Sequence, residues 1–254
     1  MGIHATAQAG FDADAARYAR GRPDYPAEVD GWLRENLRLG PGRIVADVGA
    51  GTGKFTRRLI ATGAKVIAIE PVAAMRSRLT ADLPDVTAVD GTAEAIPLAD
   101  NSVDAIVCAQ AFHWFATAAA LEEMRRVLKP GGKLGLIWNT KDEGVPWVRA
   151  AFSLIDPYEE GIPRFHSGAW RKAFPAPGYA PLDEQRFAHE HVGSPETVIV
   201  DRLLSVSFIA SLPDTERDRV AAKLREIIAT YPAIKGRAEI ALPYKTFAYS
   251  ARKL

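Results

Sequence analysis

A glycine-rich turn between two carboxylates is the part of this sequence best suited to chemistry. Residues 45–53 (VADVGAGTG) predict a strand followed by a tight turn, and Glu70 ends the next apolar segment. Glycine allows the backbone to approach a ligand closely and to adopt turns that a Cβ would forbid. A carboxylate at the tip of the second strand can accept hydrogen bonds from both hydroxyls of a ribose. The layout therefore predicts a site that binds a nucleoside.

The spacing of the glycines distinguishes the cofactor classes that such a turn can serve. The pattern is G-x-G-x-G, whereas a dinucleotide fingerprint is G-x-G-x-x-G and would need glycine at Lys54. A phosphate-binding P-loop would need glycine at Val48 and serine or threonine at Phe55. A nicotinamide cofactor and a nucleoside triphosphate are therefore disfavoured. A tight turn that binds no ligand stays the simplest alternative.

The composition of the chain limits its partners and its compartment. With 254 residues and a formal net charge of +1, the chain has the length of one large α/β domain. It lacks the excess positive charge that binds nucleic acid or anionic membranes. The single cysteine, Cys108, excludes a disulfide within the chain and a cysteine zinc site. Without a transmembrane segment, a signal peptide or a paired metal-ligand pattern, we expect a cytoplasmic protein with no metal.

Strand and helix signals alternate along the first half of the chain. Such alternation predicts a doubly wound parallel sheet with helices on both faces. A helix containing Leu121 and Leu128 is predicted to stop at Pro130. Beyond Asn139, two edge strands are predicted, with helical segments between them as a cap, one of them over 198–208. The predicted strands are 43–48, 65–69, 86–89, 103–109, 133–138, 185–191 and 240–249.

Together with the segment GTAEAIPL at 91–98, the glycine turn and Glu70 resemble the class I S-adenosylmethionine (SAM)-dependent methyltransferases. The chain is most similar to their small-molecule branch, related to ubiquinone-type and trans-aconitate methyltransferases. The resemblance implies an α/β fold of Rossmann type, with a doubly wound, mostly parallel sheet of seven strands, an antiparallel C-terminal edge and a helical cap. It also implies one domain over 1–254, with a lid segment (1–38), a SAM-binding core (39–140) and a substrate cap with the C-terminal strands (141–254).

The resemblance assigns cofactor contacts to particular residues. The glycine turn would meet the methionine amino and carboxylate groups of SAM, and Glu70, 17 positions after Gly53, would bind the ribose. The turn after the third strand would bind the adenine. There the family usually has aspartate where this chain has Thr92, and Asp90 is the alternative contact. The implied cofactor-binding residues are Asp47, Gly49, Ala50, Gly51, Gly53, Glu70, Thr92, Ala93, Gln110, Tyr18 and Arg22.

The segment 110–115 (QAFHWF) ends the fourth predicted strand, where the family places residues that face the transferable methyl group. His113 would be either a general base, because an imidazole titrates near neutral pH, or a residue that orients the substrate. The implied substrate-pocket residues are Trp114, Phe115 and Tyr25. Segment 18–26 would form a lid over the cofactor, or a structural arm on the sheet, or both. Candidates for binding an anionic acceptor are Arg22, Arg164 and Arg171.

The implied reaction is in-line transfer of a methyl group from SAM to an O, N, S or C atom of a small-molecule acceptor, leaving S-adenosylhomocysteine. Because the sulfonium already makes the methyl electrophilic, alignment in a dry pocket would supply most of the rate. A general base is needed only if the acceptor must lose a proton. Two other functions stay open: a SAM-binding regulatory module without catalysis, and a nicotinamide-dependent reductase. We expect a monomer or homodimer with no nucleic-acid or membrane partner.

Overall fold

A seven-stranded sheet forms the centre of the fold, with the strand order β3-β2-β1-β4-β5-β7-β6. The computed structural model describes residues 23–159 and 161–254, so Tyr18, Arg22 and most of the predicted lid lie outside the described residues. The sheet is mostly parallel with antiparallel C-terminal strands, which confirms the predicted fold class. The strands are β1 Ile44–Val48, β2 Lys65–Ile69, β3 Thr87–Val89, β4 Val103–Ala109, β5 Leu128–Lys141, β6 Asp183–Gly193 and β7 Ile240–Arg252.

The parallel strands share a register that aligns their carboxyl ends. Val48 pairs with Ile69 of β2, and Asp47 pairs with Val107 of β4. Successive side chains of a strand face opposite sides of a sheet. On β4, Ala105 and Val107 accordingly join one apolar cluster, whereas Ile106 and Cys108 join another. Both faces are covered, and the loops after β1, β2 and β4 meet at one edge, where open α/β sheets bind ligands.

Helices connect the strands and cover the sheet. The N-cap of one of them is Thr117, whose hydroxyl accepts a hydrogen bond from the Ala120 N–H at 3.1 Å. The α-helices are α1 Glu28–Glu35, α2 Thr56–Ala61, α3 Ala73–Asp82, α4 Ala118–Val127, α5 Pro146–Ser153, α6 Arg202–Leu204, α7 Ser207–Ala210 and α8 Asp214–Thr230. Short 3₁₀ turns cover Phe112–Trp114, Asp156–Tyr158 and Ala169–Ala173, and a π-helix covers Glu196–Asp201. No helix in the described part of the chain is long and apolar enough to cross a membrane.

Two predicted element boundaries were wrong. Helix α4 ends at Val127, and β5 begins directly at Leu128 rather than at Lys133. Pairing moves from Val103 with Leu128 to Ala105 with Lys133, so three extra residues of β5 are accommodated as a bulge. Pro-Gly-Gly thus forms an irregular strand segment instead of a helix stop, because a bulge tolerates residues that cannot join the ladder. The helix predicted over 198–208 is divided among the π-helix, α6 and α7.

The described residues form two compact units. The first comprises Tyr25–Trp138, Pro163–Phe187 and Thr246–Leu254. The second includes Asn139–Ile162 and Ala188–Lys245, and its apolar core is built from α5, the π-helix, α8 and the start of β7. The predicted division into lid, cofactor core and cap stays a prediction.

Candidate active site

The carboxylate of Glu70 is fixed at the edge of the sheet by backbone donors. Gly51 N–H donates to one carboxylate oxygen at 2.8 Å, and Val72 N–H donates to the other at 2.9 Å. The glycine turn lies against the end of β2 because the N–H groups of Gly49 and Ala50 both donate to the Ile69 carbonyl. Burial raises the pKa of Glu70, and the hydrogen bonds from Val72 and Gly51 oppose that rise. The glycine turn and the acidic residue predicted to act together therefore do lie together.

The structure explains the glycine at each of the three positions of the turn in a different way. All have positive φ, which strongly favours glycine. A Cβ on Gly49 would lie 2.7 Å from the Ala111 Cβ, and one on Gly53 would lie 2.9 Å from a Leu83 methyl group. Both glycines are thus required by packing. A Cβ on Gly51 would meet nothing closer in the described structure than the Met75 sulfur at 3.9 Å. Gly51 therefore borders open space beside Glu70.

Asp47 is a fully buried carboxyl at the end of β1. Thr56 Oγ1 donates to its Oδ2 at 2.7 Å, and Oδ1 has no hydrogen-bond partner among the described residues. The pKa of Asp47 is raised overall to about 7, since burial raises it most, the Thr56 hydrogen bond lowers it and the charge of Glu70 raises it. An unsatisfied buried oxygen is costly unless a ligand or an ordered water pairs with it. Ionisation of Asp47, directly beneath the turn, is therefore energetically unfavourable in the ligand-free protein.

The turn predicted to bind adenine follows β3. Ala93 is buried in the core, and Thr92 forms an isolated bridge with Ala95. Asp90 is exposed, and its carboxylate lies 3.4 Å from the guanidinium of Arg76. Arg76 also donates to the Glu70 carbonyl at 2.6 Å. Arg76 thus links the Asp90 carboxylate to the backbone at Glu70. The choice between Thr92 and Asp90 as the adenine contact stays a prediction.

The end of β4 brings the predicted methyl-facing segment to the glycine turn. Gln110 has φ of 56°, a left-handed conformation that is uncommon outside glycine and recurs at functional sites. The segment then turns into the 3₁₀ helix Phe112–Trp114. Phe115 Cε1 lies 3.5 Å from the position of a Cβ on Gly49. The loops after β1 and β4 are therefore in contact, as the shared sheet edge requires.

His113 is held by a hydrogen bond that fixes the location of its proton. Trp138 Nε1 lies 3.0 Å from His113 Nδ1. An indole nitrogen can only donate, so Nδ1 must be the accepting nitrogen. A neutral imidazole has one accepting and one protonated nitrogen, which places the ring proton on Nε2. His113 therefore presents Nε2–H as a donor, while its one accepting lone pair is engaged by Trp138.

Sequence reasoning did not identify Trp138. Its ring is fully buried, with centroids 4.8 Å from the Trp170 ring, 4.9 Å from Phe165 and 5.9 Å from Tyr249. These contacts fix the indole, and a buried indole N–H requires an acceptor. The sequence signal was present: Trp138 ends the predicted fifth strand, at the same edge as His113.

The remaining predicted pocket residues are distributed within the first unit. The Trp114 ring lies 5.2 Å from the His113 ring, so these two side chains are neighbours. Tyr25 is buried and forms an edge contact with Phe55 at 4.7 Å, and its carbonyl accepts a hydrogen bond from Arg58. This packing fits the structural-arm interpretation of Tyr25.

The predicted anion-binding arginine Arg171 already has partners in the structure. Its guanidinium bonds to the Tyr249 hydroxyl at 2.7 Å and lies 3.3 Å from the carboxylate of Glu184. It also lies over the Trp170 ring at 4.7 Å. Arg171 is therefore engaged in holding the aromatic cluster around Trp138. A role in clamping an anionic acceptor would require it to leave these contacts.

Comparison with known proteins assigns the family. A family model described as a methyltransferase domain matches residues 46–136. An uncharacterized methyltransferase-like protein of Schizosaccharomyces pombe is 40% identical over 244 residues, covering 96% of this chain and 95% of that protein. The chain belongs to the class I SAM-dependent methyltransferases. An uncharacterized methyltransferase of Mycobacterium tuberculosis is 39% identical to this methyltransferase over 240 residues, covering 93% and 92% of the two chains.

The fold of this methyltransferase has counterparts among solved structures. A protein from Anaeromyxobacter dehalogenans, assigned as a type II methyltransferase, matches with a TM-score of 0.64 at 24% identity. The match covers 91% of this methyltransferase and 97% of that chain. The similarity in fold therefore extends well beyond residues 46–136.

Proposed function

We propose that this methyltransferase transfers a methyl group from SAM to a small-molecule acceptor whose attacking atom needs no deprotonation by the enzyme. The hydrogen bond from Trp138 to His113 supports the proposal that the enzyme does not deprotonate the acceptor. A general base needs an accepting lone pair, and the only one on neutral His113 is engaged by a buried donor. A carboxylate oxygen, which is already ionised at neutral pH, is an acceptor of this type.

The residues at the sheet edge fit SAM. The open space at Gly51 admits close approach of a ligand to the backbone, and the fixed carboxylate of Glu70 suits two ribose hydroxyls. Oδ1 of Asp47, which no described residue bonds, is a buried acceptor that suits the amino group of the cofactor's methionine end. When bound, SAM supplies a methyl group that is already electrophilic. The chain's own task is then to hold the acceptor in line and to exclude water.

His113 acts in this proposal as an orienting donor. Its Nε2–H binds an oxygen of the acceptor, while Trp138 prevents the ring from rotating or changing tautomer. Trp114 and Phe115 follow His113 along the chain and would exclude water from the reacting atoms. Their aromatic faces also favour a cationic sulfonium.

Calorimetry with SAM, S-adenosylhomocysteine and NADH tests the cofactor. We expect micromolar binding of the first two and none of NADH. A folded protein that binds NADH instead would overturn the proposal and restore the reductase hypothesis. Binding of SAM without turnover of any acceptor would favour the regulatory module.

Acceptor chemistry and two variants test the role of His113. Formation of S-adenosylhomocysteine is measured with small carboxylic acids and with phenols of similar size, and we expect turnover with the carboxylic acids. His113→Gln retains a side-chain donor and should keep most of the activity. His113→Ala should lose about tenfold, as expected for a hydrogen bond of ~1.4 kcal/mol. Equal loss of activity in both variants would indicate a general base.

A further inference from the structure

Arg202 is a buried cation with no counterion among the described residues. It lies at the start of α6 in the second unit and is only 6% exposed. Its Nε donates to the Tyr244 hydroxyl at 2.9 Å. Nη1 is buried, and among residues 23–159 and 161–254 it has no hydrogen-bond partner and no carboxylate lies within ion-pair distance of the guanidinium. The surroundings are apolar, since Leu203 and Leu204 belong to the core of this unit.

A guanidinium in this position is unfavourable in the ligand-free protein. Burial of a charge is strongly unfavourable unless the charge is paired and hydrogen-bonded. The cation lies 5.7 Å from the centroid of the Phe152 ring, and this contact offsets only part of that penalty. An apolar residue of similar size, such as methionine, would fit the same core without the penalty. Packing of this apolar core therefore gives no reason for an arginine at this position, which points to a functional role.

The groups around Arg202 are donors and cations. Because the Tyr244 oxygen accepts from Arg202, the Tyr244 proton is left to donate, and no described residue accepts it. A second cation, Lys141, lies 5.0 Å from the same Phe152 ring, and its partner Glu143 is an exposed residue 3.1 Å away. After the Tyr244 oxygen and the exposed Glu143 are accounted for, donor groups remain in excess here, and such a set matches an oxyanion.

The backbone before Arg202 is also unusual. Residues Glu196–Asp201 form a π-helix that leads directly into Arg202. π-Helices are rare, and they occur frequently at functional sites because the wider turn redirects a side chain. Val198, Ile199 and Val200 are fully buried, so the π-helix is a fixed part of the core. Its position supports a functional placement of the guanidinium.

We propose that Arg202 and Tyr244 form an oxyanion-binding site in the second unit that takes the carboxylate or phosphate group of a small ligand. Its residues are different from those proposed to contact SAM. Arg202 would bind the anion through its Nη groups, and the Tyr244 hydroxyl would add a neutral donor. Bidentate binding of carboxylate or phosphate is the arrangement that guanidinium favours.

In a calorimeter, the 254-residue protein is titrated with sodium succinate, with inorganic phosphate and with neutral succinamide at constant ionic strength, without SAM. We expect heat of binding and a rise in Tm with succinate or phosphate, and neither with succinamide. The anion that binds more tightly shows whether the natural ligand carries a carboxylate or a phosphate group. Arg202→Met should weaken binding by at least tenfold while its ligand-free Tm stays equal to or above that of the wild type. Arg219→Gln, which changes an exposed arginine of α8, is the matched control and should bind as the wild type does.

Tyr244→Phe and Arg202→Lys keep the test valid if the methionine variant does not fold. Both should fold, and both should bind the anion several-fold more weakly because one donor or the planar fork is lost. Wild-type protein that binds neither anion would overturn the proposal. Equal binding by wild type and the Arg202 variants, or an equal loss in Arg219→Gln, would do the same. Binding of SAM is measured in parallel on every variant, so failure of this site is distinguishable from failure of the cofactor site.

Discussion

Replacement of Asp47 by asparagine should change the free energy of unfolding in a pH-dependent way. Relative to the wild type, the variant should be more stable at neutral and alkaline pH than at acidic pH. The side chain is fully buried, and burial, opposed by the Thr56 hydrogen bond and reinforced by the Glu70 charge, raises its pKa from 3.8 to about 7. In the unfolded chain the carboxyl ionises near its ordinary value. Between these two values, the folded protein holds a proton that the unfolded chain has lost.

The sign and size follow from this linkage. Because the unfolded state binds fewer protons in this window, stability falls as pH rises from about 4 and levels off above about 7. A shift of roughly three units corresponds to about 4 kcal/mol at ~1.4 kcal/mol per unit. Asparagine has no charge to bury, so it avoids this penalty. Its amide adds an unsatisfied donor that costs ~1–3 kcal/mol, but that cost does not vary with pH.

Urea unfolding of both proteins at pH 5, 6, 7 and 8.5 measures the difference. The free energy of unfolding of Asp47→Asn, minus that of the wild type, should increase by about 2–3 kcal/mol between pH 5 and pH 7 and then stay constant. Asp104→Asn is the control, and its difference from the wild type should stay constant over this range, because a lowered pKa leaves that carboxyl ionised in both the folded and the unfolded protein from pH 5 upwards. Burial raises the pKa of Asp104, but hydrogen bonds from Ile44 N–H, Lys129 and Arg43 lower it below its ordinary value overall. A difference for Asp47→Asn that is constant with pH would refute the assigned ionisation.

Four further substitutions, grouped in three tests, address the cofactor and acceptor sites. Glu70→Gln should weaken SAM binding tenfold or more in calorimetry, because hydrogen bonds to a charged group contribute ~1.5–3 kcal/mol; unchanged affinity in the folded variant would contradict the ribose placement. Trp138→Phe keeps the aromatic packing but removes the donor to His113, so kcat should fall about tenfold, as for one lost donor, while SAM affinity stays constant; equal loss of both would place His113 in the cofactor site. Gly49→Ala should lower the urea midpoint more than Gly51→Ala does, because only the first Cβ clashes, whereas Gly51→Ala should weaken SAM binding in a folded protein. The reverse order would show that the open space at Gly51 is not used by the ligand.

The sequence predicted the parallel half of the sheet because its signals are local. Apolar strands covered on both faces, each followed by a turn, determine β1, β2 and β4 nearly to the residue. The pairing of Glu70 with the glycine turn also follows from strand order alone. The start of β5 does not, because Pro130 is ordinarily a helix stop, and only its pairing with β4 makes a bulge there favourable.

Contacts between distant segments were beyond sequence reasoning. The hydrogen bond between Trp138 and His113 joins the ends of two strands, and no local pattern distinguishes an indole that packs from one that also donates. The sequence alone would place Arg202 on the surface of a helical segment, because charged residues are rarely buried. Only the fold shows that its guanidinium is enclosed by Phe152 and Tyr244.

The buried thiol in the middle of β4 gives this methyltransferase a built-in reporter of opening. Cys108 is fully buried, and burial raises its pKa well above the ordinary value, so an alkylating reagent can modify it only after β4 separates from its neighbours. It is the one cysteine of the chain, so the total incorporated label reports a single position. Alkylation timed against added ligand therefore measures how strongly each ligand holds the centre of the sheet closed, without any engineered probe.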